Sequence, residues 1–134
     1  QGADHVIIST DKEQMKAAAD SFDFLLDTIP VAHDLNPYLK CLKYDGTHIL
    51  VGLLTPIEPA LQAGLLVTKR RVVAGSLIGG MPETQEVLDF CAEHDITCDI
   101  EMLDIRNINE AYVRMKKGDV KYRFVIDMKT LKEG

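Results

Sequence analysis

The chain has 134 residues, 46% hydrophobic and 27% charged, with 15 Lys and Arg against 21 Asp and Glu and a net charge of −6. These values fit one soluble globular domain and exclude a disordered or low-complexity chain. The acidic balance opposes bulk attraction to nucleic acid or to an anionic membrane, and no apolar stretch approaches the ~20 residues of a membrane span. The longest basic run, Lys69, Arg70 and Arg71, reads as a sheet edge rather than a phosphate site. Cys41, Cys91 and Cys98 have neither C-x-x-C nor metal-ligand spacing and read as reduced thiols. No segment reads as a secretory leader, so the expected location is the cytoplasm.

In chain order, Gln1, Gly2 and Ala3 read as the end of a helix already running, with Gly2 as its terminator. "HVIIS" (5–9) predicts a short strand, and "TDKE" (10–13) a capping box opening a helix to about residue 20. "FDFLLDT" (22–28) predicts a strand and "HDLNPYLKCLK" (33–43) a helix capped by Asp34 or Asn36. "YDG" (44–46) predicts a turn and "THILVGL" (47–53) a third strand. After the proline-spaced "TPIEPALQAG" come a strand at 70–76, a helix at 82–94, a strand at 96–103, a helix at 108–117 capped by Asn107, and a strand at 121–127. Alternating strands and helices with apolar, β-branched strands define an α/β fold with a largely parallel sheet.

Ligands of such sheets lie beyond the carboxyl ends of the strands, which directs attention to Ser9 and Thr10, to residues 28–30, to residues 52–54 and to residues 76–79. In "GSLIGGMPETQEVLDFCAEHD" (75–95), Gly79 and Gly80 suit either positive-φ turns or close ligand approach, and Pro82 suits the first turn of a helix. Neither GxGxxG nor GxxxxGK[ST] occurs, so a complete dinucleotide-binding domain is excluded. Asp23 and Asp27 alternate on one strand, which by itself suits a phosphoacceptor, but the partner residues of such a site are not convincingly placed. His5, His33, His48 and His94 have no partner at ligand spacing and read as solvated or satisfied structural residues.

The series "GSLIGGMPETQEVLDFCAEHDI", "DIEML" and "INEAYVRMKKGDVKYRFVID", extended back through "LKYDGTHILVG" and "FDFLLDT" to "GADHVI", resembles the C-terminal part of cinnamyl-alcohol-dehydrogenase-like enzymes. These are NADP-dependent, zinc-containing medium-chain alcohol dehydrogenases. The resemblance implies the second part of a Rossmann-type coenzyme domain with the C-terminal segment that returns to the catalytic domain. It divides the chain into residues 1–96, a partial dinucleotide-binding domain without its glycine fingerprint, and residues 97–134, the end of the catalytic domain. The implied activity of the parent enzyme is interconversion of primary alcohols and aldehydes, aromatic or aliphatic, by hydride transfer with NADP(H), with zinc as a Lewis acid. The family's zinc ligands cannot be built from Cys41, Cys91 and Cys98, so no metal ligand and no catalytic residue is assigned, and this chain alone is expected to be inactive.

By the same resemblance, Thr28, Val51, Gly52, Ser76, Leu77 and Ile78 line the nicotinamide and ribose end of the cofactor. Leu77 and Ile78 also shape a pocket for a small-molecule alcohol or aldehyde, and Arg123 matches a position that reaches the cofactor's phosphates. The plainer readings are that Leu77 and Ile78 are core residues and that Arg123 pairs with Asp127 or Glu101. In the dinucleotide fold, with strand order 3-2-1-4-5-6, the strand at 22–28 would be fourth and that at 72–76 sixth. The resemblance implies a homodimer through that sixth strand, from Val72 to Ser76, with the apolar segment before it. A small, non-catalytic α/β binding or dimerisation module remains the alternative from a different class.

Overall fold

The computed structural model describes residues 2–52 and 55–132. Gln1, Leu53 and Leu54, which fall in the expected helix end and strand exit, lie outside the described residues. The chain divides into two compact units, Gln1–Ile78 and Gly79–Gly134.

The first unit holds α1 (Lys12–Ala17), β1 (Phe22–Asp27), α2 (Asn36–Cys41), β2 (Leu42–Leu50), α3 (Ala63–Val67) and β3 (Val72–Gly75). Its strands form one parallel sheet in the order β1-β2-β3, the order expected for fourth, fifth and sixth strands. Register sets Leu25 beside His48, Asp27 beside Leu50 and Leu50 beside Gly75, so all three strands end level with one another. The core gathers where α1 and α2 approach the sheet: Ala18, Leu35, Leu39, Cys41 and Leu42 are buried. Each of the three leucines contributes about 1.5–3 kcal/mol by leaving water. Asn36, also buried, fastens the proline-spaced segment to α2, its Oδ1 accepting from the Gln62 amide at 2.8 Å and its Nδ2 donating to the Ala60 carbonyl at 3.2 Å.

The basic run is structural, as its sequence suggests. Arg71 is buried before β3, where Nε donates to the Leu42 carbonyl (2.9 Å), Nη1 to the Leu65 carbonyl (3.0 Å) and Nη2 to Asp20 (2.8 Å). Lys69 pairs with Asp20, and Arg70 with Asp45.

Several local expectations are corrected. Residues 5–9 form no strand: Val6 and Ile8 are 77% and 51% exposed, and an apolar run becomes a strand only where a neighbouring strand supplies ladder partners. Asp11 rather than Thr10 caps α1, its Oδ1 accepting from Glu13 N (2.9 Å) and Gln14 N (3.2 Å), because the helix begins one residue later than a Thr10 cap requires. The "YDG" stretch is not a turn but the middle of β2. The register jumps from Phe22–Leu42 to Phe24–Thr47, and Asp45 takes φ +60, so the extra residues are absorbed as a bulge. Neither Asp34 nor Asn36 caps α2. Its cap position is Leu35, and Asp34 Oδ1 instead accepts the Asn36 backbone N–H at 2.9 Å.

The second unit comprises α4 (Met81–Glu93), β4 (Ile100–Asp104), a 3-10 turn (Ile105–Asn107), α5 (Ile108–Lys116), β5 (Arg123–Asp127) and a closing 3-10 turn (Met128–Lys132). β4 and β5 pair in parallel and α5 connects them, with Leu103, Ile108, Ala111, Tyr112, Phe124 and Ile126 around their common apolar depression. Arg114 closes one side, 2.7 Å from Glu101, 3.0 Å from Asp119 and 4.8 Å above the Phe124 ring. β4 and β5 start later than the sequence suggests, because the ladder begins only where Ile100 meets Arg123. Asn107 makes no capping bond. The preceding Asp104 takes that task in the 3-10 turn, accepting from Arg106 N at 2.8 Å.

The helix start at Gly79–Gly80 also works differently from the expectation. Neither glycine has positive φ, and Gly80 is extended at φ −70 and ψ 173. Glu83, three residues on, turns its Oε2 back to accept the Gly80 N–H at 2.6 Å, so the sharp entry is made by a side-chain cap, with Pro82 in the first turn.

Candidate functional site

The level strand ends of the first unit bring four of the sequence-selected residues to one edge of the sheet. The Val51 N–H donates to the Asp27 carbonyl and the Ser76 N–H to the Leu50 carbonyl, both at 3.0 Å, extending the two ladders one residue past the strands. Thr28, Val51 and Ser76 thereby follow one another across β1, β2 and β3. Gly52 lies so close to the β1 exit that a Cβ there would stand 2.7 Å from the Thr28 carbonyl oxygen and 2.9 Å from that of Ile29. Only glycine fits, and the reason is contact between two strand exits rather than an unusual φ.

Leu77 and Ile78 follow β3 and are 71% and 91% exposed, outside the core of this chain. Arg123, in the second unit, opens β5, is exposed and makes no ion pair among the described residues. The suggested partner Glu101 is occupied by Arg114 and by the Lys121 N–H.

Sequence spacing missed the cluster beneath this edge. Asp27, only 8% exposed, ends β1 with both carboxylate oxygens engaged. Oδ1 accepts the Ile29 N–H at 3.0 Å, and Oδ2 accepts from His33 Nε2 at 2.9 Å and His48 Nε2 at 3.1 Å. Burial pushes the Asp27 carboxyl up, but the hydrogen bonds from Ile29, His48 and His33 together hold it below the ordinary carboxylate value. Tyr38 from α2 stands edge-on to both imidazoles. Leu25, Leu26, Thr28 and Ile29 complete a largely apolar cavity of about 210 Å³ over Asp27 and His48. A signal was available: His48 is level with Leu25, and Asp27 is two residues further along the same face of β1. Asp23, by contrast, lies on the surface and pairs with Lys43 at 2.7 Å, as a solvated residue does.

Among the described residues no group of three His, Cys, Asp or Glu could hold a metal ion. Cys41 is buried in the first unit, its thiol pushed up by burial and donating to the Pro37 carbonyl at 3.5 Å, and Cys91 and Cys98 belong to the second unit. The residues present therefore do not fit a zinc site, and no step is derived through the metal.

A parallel sheet whose strand exits lie level, with helices in the connections between its strands, defines an α/β protein of the coenzyme-domain class. Residues 1–93 match the zinc-binding dehydrogenases, and the chain belongs to that family. It is 53% identical over 130 residues to aldehyde reductase YahK of Escherichia coli (strain K12), an alignment covering 97% of this chain and 37% of the relative. Among solved structures, a cinnamyl alcohol dehydrogenase from Sorghum bicolor superposes with a TM-score of 0.84 at 42% identity, covering 94% of this chain and 35% of that one. A Helicobacter pylori protein named CAD, solved in complex with NADP(H), gives 0.68 at 42% identity, covering 86% and 34%. The resemblance read from the sequence and the Rossmann-type α/β fold are both upheld. The chain spans little more than a third of the relatives it matches.

Proposed function

We propose that the chain is the C-terminal part of an NADP(H)-dependent, zinc-using alcohol dehydrogenase that interconverts primary alcohols and aldehydes. The observation that carries this reading is the alignment of Thr28, Val51, Gly52 and Ser76 along one sheet edge. The likeness to an enzyme solved with NADP(H) supports the choice of cofactor.

In this reading Thr28, Val51, Gly52 and Ser76 hold the nicotinamide and ribose end through backbone and hydroxyl groups. Leu77 and Ile78 exclude water and present an apolar wall to the aldehyde or alcohol, which their exposure leaves them free to do. Arg123, uncommitted to any carboxylate among the described residues, is assigned to the cofactor's phosphates, where a guanidinium can donate in a fork. When bound, the nicotinamide supplies the hydride acceptor or donor. In the parent's domain plan, residues 1–96 are the coenzyme-domain portion and residues 97–134 the return to the catalytic domain, with catalytic groups supplied elsewhere in the parent. The location assigned is the cytoplasm. No helix among the described residues is long and apolar enough to cross a membrane.

We also assign self-association to β3. Among the described residues β3 pairs only with β2, its Val72 is 47% exposed, and a free parallel-sheet edge favours a second copy. A homodimer through Val72, Val73 and the residues up to Ser76, with the apolar segment before them, follows.

The cofactor reading is tested by titrating the 134-residue chain with NADPH while recording amide NMR shifts. Weak, saturable shifts at Thr28, Val51, Gly52 and Ser76 are expected, because one side of a dinucleotide cleft lacks the pyrophosphate-binding turn. A non-catalytic module would leave those four amides unmoved.

A further inference from the structure

Between β1 and α2 the chain runs from Thr28 to Leu35 without helix or strand, yet one carboxylate fastens it at several points. Asp27 Oδ1 holds the Ile29 N–H, and Oδ2 is shared by His33 and His48. His33 also reaches back along its own segment, with Nδ1 2.8 Å from the Val31 carbonyl oxygen. Both nitrogens of His33 thus face groups that only accept: a carbonyl and an ionised carboxylate. An imidazolium satisfies both, whereas a neutral ring can donate to one.

His48 differs. It is 1% exposed, its Nε2 must donate to Asp27, and its Nδ1 has no partner among the described residues. It therefore anchors Asp27 to β2 and leaves His33 as the member whose charge can change the hydrogen-bond count. The groups facing His33 are Asp27 from β1, His48 from β2 on the same carboxylate oxygen, Tyr38 from α2 with ring centres 5.8 Å apart, and Asp34 from its own segment.

We propose that Asp27, His33 and His48 form a clasp that fixes the β1 exit while His33 is protonated and loosens it when His33 loses its proton. His33 is then a positioning residue for Thr28 and Ile29, the pair against which Gly52 packs. The conformational claim does not rest on the cofactor reading, since the same bonds hold the segment with the cleft empty or filled.

The direction of the pH dependence follows. The Val31 carbonyl, against the opposing effect of burial and with help from Asp27 and Asp34, holds the His33 imidazole above its ordinary value of 6.5. The stabilisation is fully present below the unfolded value and is lost as pH rises through the raised folded value.

The test is an NMR pH titration of the 134-residue chain from about pH 5.5 to 9, following the ring nitrogens of His33 and the Ile29 amide. The clasp predicts one common midpoint above 6.5 for the His33 ring and the Ile29 amide. It also predicts an approximately fivefold fall in Ile29 amide protection across that midpoint, once intrinsic exchange is corrected for, as expected for losing one hydrogen bond. In His33→Gln, which can still donate but cannot titrate, the Ile29 transition disappears. A His33 midpoint near 6.5 with Ile29 unmoved overturns the proposal, and the wild-type chain alone yields that result if the variant fails to fold. An unchanged Ile29 transition in His33→Gln overturns it equally. Failure of NADPH to shift Thr28 leaves these signals untouched, so the two readings fail separately.

Discussion

Gly52→Ala is the substitution for which the structure gives the clearest magnitude. The new Cβ would meet three backbone atoms, the Thr28 oxygen at 2.7 Å, the Thr28 carbon at 2.8 Å and the Ile29 oxygen at 2.9 Å. None can rotate away. Relief requires the β1 exit or the β2 exit to move by about half an ångström, against the Val51 bond to Asp27 and the three bonds made by the Asp27 carboxylate. Overpacking of this kind costs about 1–3 kcal/mol, and rigid backbone on both sides argues for the upper half. In a unit of this size each kcal/mol lowers Tm by about 4–8 °C. Urea unfolding followed by far-UV circular dichroism measures the loss. Gly64→Ala is the control: nothing lies within 4 Å of its Cβ, it is inside α3, and the change should be neutral or stabilising by up to about 1 kcal/mol. If Gly52→Ala matched wild type within about 0.3 kcal/mol, the close approach of the two strand exits would be refuted.

Arg71→Met should destabilise the first unit by about 2–4 kcal/mol in the same unfolding assay, because the Leu42 and Leu65 carbonyls lose the donor that satisfies them below the sheet. Val73→Lys should shift the chain toward monomer in light scattering at micromolar concentration; a wild-type chain that is already monomeric there would remove β3 as the contact. Asp104 is held down to about 2 by hydrogen bonds from the Arg106 side chain and backbone, so its contribution is present above its unfolded value of 3.8 and lost as pH falls toward 2. Arg106→Ala should move the Asp104 carboxyl titration, followed by carbon NMR, up toward 3.8.

Much of the fold was legible because its determinants are local. β1, β3, α4 and α5 follow from apolar periodicity, from Gly and Pro punctuation, and from β-branched runs such as "RRVVA". The parallel order β1-β2-β3 followed from the resemblance. What failed depended on partners. Residues 5–9 have strand composition but no ladder, and the Asp-Gly of 45–46 has turn composition but is held in β2, where the Asp45 N–H donates to the Lys69 carbonyl at 2.9 Å. Thr28, Val51, Gly52 and Ser76 were named from the family resemblance, and the structure sets them side by side because the strand ends of this parallel sheet lie level. The Asp27 cluster was not found, because its members stand 6 and 21 residues apart and meet only once the register of β1 on β2 is fixed.

The carboxyl-end edge of the first unit's sheet is proposed to receive the nicotinamide end of NADP(H). The most direct measurement is a per-residue map of amide shifts as NADPH is added to the chain. The prediction is a saturable response confined to the strand exits, greatest at Thr28, Val51, Gly52 and Ser76, with an affinity weaker than about 1 μM because the anion-binding helix start of a full cleft is not among these elements. A response centred elsewhere in the chain, or none at those four amides at millimolar NADPH, would contradict it.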